Sequence, residues 1–219
     1  MPAQISYSVR RAPRARRVRV RVDPERGVEV LLPPRASEQA AAEAVAELSP
    51  WIERRLAEHE RARVRVARDR SSVPYLGDRL TLVPQPDRRR VHRKGDALIV
   101  PTGPAARPAI ERWYRKAARD EITRRLDAAT SQIGTSYARL AIRNQRTRWA
   151  SCGSGGAMSF NWRLLLAPER VLDYVVWHEV CHLEVADHSP RFWALLEARC
   201  PGWREPAKWL RENGAALVL

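Results

Sequence analysis

Residues 178–182 read His-Glu-Val-Cys-His, preceded by Val171-Leu-Asp-Tyr-Val-Val-Trp177 and followed by Leu183-Glu-Val-Ala-Asp-His188. The preceding seven residues are strongly apolar and contain neither Pro nor Gly, so the pentapeptide is expected on a helix. Residues four apart share a helix face, so His178 and His182 can direct both imidazoles at one ion. Glu179 follows the first ligand and projects beside that ion, where its carboxylate can take a proton from a bound water. This pattern belongs to metal-assisted peptide hydrolysis.

A catalytic zinc site keeps one position open to water and takes three ligands from the protein. His188, six residues past His182, is the expected third ligand, and Glu184 is its rival. His188 is preferred because a residue two beyond His182 points away from the face that carries the first two ligands. The spacing is that of metzincins, but Val185 stands where their turn has glycine, and no Met-turn follows. Three of the five histidines thus fall in ligand order around one glutamate. His59 and His92 stand alone among arginines and read as surface residues.

Working outward, Pro168-Glu169 opens the metal helix, which is expected to reach about Val185, and Ser189-Pro190 reads as an N-cap and first helical position of the next helix. Met158 to Leu164 alternates like a half-buried strand, and such a strand at a cleft edge can take an extended substrate as a further strand. Residues 109–133 carry Ile110, Trp113, Tyr114, Ala117, Ile122 and Leu126 at helical spacing. Cys181 faces away from the metal and reads as a small buried filler, whereas Cys152 sits on a glycine-rich turn. Trp149, Trp162, Trp177 and Trp193 are expected in the core, as are Trp203, Trp209 and Leu210 in the tail.

Towards the N-terminus, Pro101 to Pro108 resembles a linker. Before it lie an expected hairpin (strand Arg16 to Val22, turn at residues 23–27, strand Val28 to Leu32), a Ser37-capped helical segment interrupted near Pro50, and a second hairpin around Tyr75-Leu-Gly-Asp78. Asp96 to Val100 is one more short strand. The fold class is α+β, with a β-rich N-terminal unit and inserted helix over residues 1–104 and a catalytic domain over residues 105–219.

The 219 residues include 40 basic and 25 acidic side chains, for a net charge of +15, and all but three of the basic ones are arginine. The first 22 residues hold seven arginines and no acid. Such a face suits a polyanion, although a solvated basic surface is the commoner outcome. No run approaches the roughly 18 apolar residues of a membrane span, and the N-terminus shows no secretory signal. Three cysteines without a CxxC pair exclude a disulfide scaffold and a four-cysteine zinc site, which points to a reducing, cytoplasmic setting.

The blocks Thr147-Arg-Trp-Ala-Ser-Cys152, Phe160-Asn-Trp-Arg-Leu164, Asp173 through Leu183, and Asp187-His-Ser-Pro-Arg-Phe-Trp193 resemble the YgjP-like metallopeptidases. This is a bacterial group related to the SprT and WLM zinc peptidases. The resemblance is specific over residues 143–193 and looser elsewhere; Ala150 stands where members usually carry Gly. It implies a minigluzincin-like zinc peptidase domain with one Zn2+ per chain, His178, His182 and His188 as ligands, and Glu179 as catalytic base. Peptide bonds of a protein or peptide substrate would be hydrolysed through a zinc-bound water. Arg163, Arg148 and Tyr174 are the candidates for oxyanion or substrate binding. The competing expectations are a basic nucleic-acid-associated protein with a structural zinc, and a DNA-associated protease. Glu179 separates the first from a peptidase, because a structural zinc has no use for it.

Overall fold

The structure, a computed structural model, describes residues 5–23, 27–68, 71–145 and 148–219. The chain divides into two compact units, residues 1–65 and 66–219.

In the first unit, β1 (Tyr7–Arg11), β2 (Arg19–Asp23) and β3 (Gly27–Leu32) form a sheet in the order β1-β3-β2. Strands β2 and β3 make the expected antiparallel hairpin, with Val20 opposite Val30 and Val22 opposite Val28; its turn residues 24–26 lie outside the described residues. The unanticipated β1 adds parallel to β3. Strand alternation collects valines on one face, where they pack with Ala41 and Val45 of α1 (Glu38–Glu47) and Ile52 of α2 (Ser49–Arg68). The Ser37 hydroxyl caps α1 by accepting the Ala40 N–H at 3.2 Å. The helices break at Leu48, just before Pro50, whose ring and missing N–H exclude it from a helix interior.

The second unit begins with β4 (Ser72–Tyr75), β5 (Asp78–Pro84), β6 (His92–Lys94) and β7 (Ala97–Val100), which form a sheet in the order β4-β5-β7-β6. Helix α3 (Ala106–Gln132) follows, then β8 (Arg139–Arg143), β9 (Ala150–Cys152) and β10 (Ala157–Asn161) in a sheet ordered β8-β10-β9. Helices α4 (Glu169–Cys181), α5 (Pro190–Arg199) and α6 (Arg204–Asn213) complete it. This is the expected α+β class, with residues 178–181 on α4 and His182 as its C-cap.

One core joins Leu80 and Leu98 of the first sheet to Ile122 and Leu126 of α3, Phe160 of β10 and Leu172 of α4. The four strands before residue 104 therefore belong with α4, and the division falls after Arg65 instead of at the sequence boundary of 104/105. The proline-rich stretch misled because it is not a linker: a 3₁₀ turn (Gly103–Ala105) runs straight into α3. Pro108 lies in the first turn of that helix, where a missing N–H breaks no intrahelical bond.

Two supports hold α4. The β4–β5 turn passes through Leu76 (φ 53°) and Gly77 (φ 101°). There the Leu76 N–H donates to the Leu165 carbonyl at 2.8 Å, and the Leu76 carbonyl accepts from the Glu169 N–H at 3.2 Å. One of the four orphan donors at the α4 N-terminus is thereby satisfied. In addition, Arg125 of α3, buried, donates to Asp173 at 2.7 Å and Glu169 at 2.5 Å on α4 while also bonding Glu121.

Two further expectations are corrected. The strand ends at Asn161, short of Leu164, because the Asn161 side chain accepts the Arg163 N–H at 3.1 Å and starts a 3₁₀ turn (Trp162–Leu166). That strand is also central, flanked by β8 and β9, so the sheet edge beside α4 is β9. Helix α4 likewise stops at Cys181, short of Val185, and the chain turns at once. Leu76 and Asp87 are the described non-glycine residues with positive φ; Val185 takes the place of a turn glycine because its backbone needs no left-handed conformation. Trp162 is buried, while Trp149, Trp177 and Trp209 pack partly buried against the core beside buried Leu210.

Candidate metal centre

His178 lies in the last turn of α4, and His182, the C-cap, follows one turn later. His188 returns on the segment between α4 and α5, where Ser189 begins the next helix and its N–H bonds the Asp187 carboxylate at 3.1 Å. One nitrogen from each of the three imidazoles lies within 4.8 Å of the other two. The Nε2 atoms of His178 and His188 are 3.0 Å apart. Two nitrogens held at 2.0–2.1 Å from one tetrahedral zinc sit about 3.3 Å apart, so the His178–His188 pair is already near that spacing, with the His182 nitrogen within 4.8 Å of both.

The tautomers suit this task. His182 Nδ1 lies 3.0 Å from the Val185 carbonyl. A carbonyl only accepts, so Nδ1 is the donor of this bond and Nε2 is the nitrogen left to face a metal. Burial, with His182 and His188 nearby, lowers the His178 pKa to about 4. Burial and His182 also lower that of His188. Both shifts favour the neutral form that ligates.

Glu179 is buried beside them, at 5% exposure. Burial pushes its carboxyl up to about 7, against the opposing pull of the Cys152 backbone N–H and the Arg148 charge. The β9 register explains the Cys152 bond. Ser151 faces Ser159, and the neighbouring odd-numbered residues exchange bonds with β10. The alternate amide, at Cys152, therefore points outward to α4. A carboxyl titrating near neutrality suits proton transfer at that pH.

The other named residues divide clearly. Glu184, the rival ligand, pairs with Arg199 at 2.5 Å and is outside the histidine group. Tyr174 lies edge-on to His178 at 5.8 Å between ring centroids, and burial together with the Glu179 charge raises its phenol pKa. Arg148 is exposed, and its charge reaches Glu179. The guanidinium of Arg163 lies 5.4 Å over the Trp162 ring. Cys181 is fully buried with Val185, Phe192 and Leu196. The Cys152 thiol is pushed up by burial and by Glu179. Thr147 lies outside the described residues.

Sequence reasoning missed the Cys152 amide, the Val185 carbonyl and the rings around the trio. Phe192 stacks on His182 at 4.5 Å, and Trp193 approaches His188 at 5.4 Å. The backbone groups leave no signature in residue identity. Phe192 and Trp193 were visible as large aromatics just after His188, but a core role explains such residues equally well.

A family model described as YgjP-like, metallopeptidase domain, matches residues 16–213. Among solved structures, the chain is similar to the metallopeptidase zymogen abylysin of Pyrococcus abyssi. The two are 23% identical, with 42% of this chain and 93% of that chain covered and a TM-score of 0.38. No curated protein matches.

Proposed function

The chain belongs to the YgjP-like metallopeptidase family, and from that premise we propose that it is a zinc-dependent peptidase with His178, His182 and His188 as ligands and Glu179 as general base. The observation that carries this reading is a three-imidazole group with a buried carboxyl beside it. Among the described residues the group has three members, which leaves a fourth position open, as catalysis requires and structural zinc does not.

Bound zinc supplies Lewis acidity to water and to the scissile carbonyl. Glu179 takes the proton of the attacking water and passes it to the leaving amine. Arg148 and Tyr174 are better supported than Arg163 as partners of the developing oxyanion, since the Arg148 charge reaches Glu179 and Tyr174 lies edge-on to His178 and within reach of the Glu179 charge. We assign the extended protein or peptide substrate to the edge of β9, which ends its sheet and faces α4. Elemental analysis should find one zinc per chain, retained in Glu179→Gln while casein cleavage is lost. Equal cleavage by Glu179→Gln would sink the mechanism.

A nucleic-acid partner is a second proposal, supported by the net charge of +15. Not all of the N-terminal arginines are available for it. Arg10 bonds Glu29 at 3.1 Å, and Arg11 donates to the carbonyls of Pro34 and Ala36 at 3.0 and 2.9 Å. Binding to duplex DNA should weaken steeply with added salt; no binding at moderate ionic strength would end this proposal. A cytoplasmic location belongs to the same reading, supported by three free cysteines. No helix among the described residues is long and apolar enough to cross a membrane.

A further inference from the structure

His178 and His182 are oriented by their own helix, and His182 also by the Val185 carbonyl. His188 is exposed and lies outside any helix, and what approaches its ring is a set of other rings. Trp193 of α5 lies 5.4 Å from it, tilted by 32°. Behind Trp193, Trp203 stacks at 4.8 Å and 17°. Behind Trp203, Tyr174 stacks at 6.2 Å and 14°. Tyr174 returns to α4, one turn before His178. The rings thus form a continuous path from the helix that holds two of the imidazoles to the residue that holds the third. Among the described residues, the Trp203 ring meets Tyr174, Trp193 and the Arg204 guanidinium but no histidine ring.

We propose that the Tyr174–Trp203–Trp193 stack is a brace that positions His188 for the metal, with Trp203, which touches no ligand, as its keystone. The inference rests on the zinc reading above. Stacked rings resist sliding and tilting, so the brace lowers the conformational freedom that His188 loses when it ligates. Hydrogen-bonded outer-shell partners of a ligand typically contribute 10–100-fold to metal affinity; here ring packing takes their place.

The test is zinc affinity of the full chain, measured by competition with a chromophoric chelator after the native metal is stripped. Trp203→Leu, which fills space without a ring, should weaken zinc about 10-fold or more, and Trp203→Phe should recover most of that loss. Tyr174→Leu breaks the stack from its other end and serves if Trp203→Leu does not fold. In a His188→Ala background, Trp203→Leu should change affinity by less than about twofold, because the brace acts through His188. Wild-type affinity in Trp203→Leu would overturn the brace. So would an equal loss with and without His188, which would mark general destabilisation. A folded wild type that takes up no zinc would instead overturn the metal reading on which the brace depends.

Discussion

The two sides of the candidate metal centre are built by different means. On the helix side, His178 and His182 stand one turn apart on an element held by backbone hydrogen bonds from the Leu76 turn and by the ion cluster of Arg125. On the loop side, His188 is held by packed rings and by the start of α5. Directional, charged contacts set the first side, and apolar stacking sets the second. The difference teaches that one site can be rigid in its scaffold and adjustable in its third imidazole. It also predicts that damage to the two sides will be read by different measurements.

The largest effect should come from Glu179, the buried carboxyl next to His178 on α4. Glu179→Gln should lower kcat for peptide hydrolysis by about 10²–10⁴-fold with zinc content unchanged, measured by steady-state kinetics and elemental analysis. Breaking the helix side should cost global stability. Arg125→Met leaves Glu121, Glu169 and Asp173 without their shared cation, and should lose about 2–4 kcal/mol in urea unfolding. That range is discounted because Glu169 and Asp173 retain 60% and 45% side-chain exposure. By contrast, Trp203→Leu should lower zinc affinity with a smaller change in the unfolding midpoint of the metal-free protein. If both variants moved both measurements equally, the distinction between the sides would fail.

A smaller effect reaches the site from the C-terminus. A Cβ on Gly214 would lie 2.8 Å from the Trp149 ring, next to β9 and hence to the Cys152 amide that bonds Glu179. Gly214→Ala should cost about 1–3 kcal/mol in thermal or urea unfolding; an unchanged midpoint would show that Trp149 yields freely. The smallest effect belongs to the rival ligand. Glu184→Ala should leave zinc stoichiometry intact and change stability by about 1 kcal/mol, since it removes a pair in which the Glu184 side chain is 39% exposed and that of Arg199 15%. Loss of zinc in Glu184→Ala would transfer the third ligand to that residue and undo the loop side of the comparison.

Much of this was legible in residue order. The helix carrying His178 showed in an uninterrupted apolar run, the N-cap at Ser189 in the Ser-Pro pair, and the Leu76-Gly77 turn in its own dipeptide. These are short-range patterns, governed by helix periodicity, capping and turn chemistry. The misreadings arose where distant packing overrode a local cue. The stretch from Pro101 to Pro108 looked like a linker because Pro and Gly usually separate elements, yet here they start α3. Met158 to Leu164 alternated like one strand, yet the Asn161 side chain ended it early. The parallel pairing of β1 with β3 left no mark, because a sheet partner is chosen over long range.

The sequence by itself determined which side chains gather: three imidazoles and a glutamate, at spacings that a helix and a short return bring together. Only the tertiary structure decided how they are held. The Cys152 amide reaches Glu179 because β9 lies at a sheet edge, Glu184 is drawn away by Arg199 from α5, and the stack of Tyr174, Trp203 and Trp193 meets His188 from three separate elements. Local spacing acts through the fixed geometry of a helical turn and can be read along the chain. Orientation and burial depend on groups remote in sequence, whose meeting exists only once the core has closed.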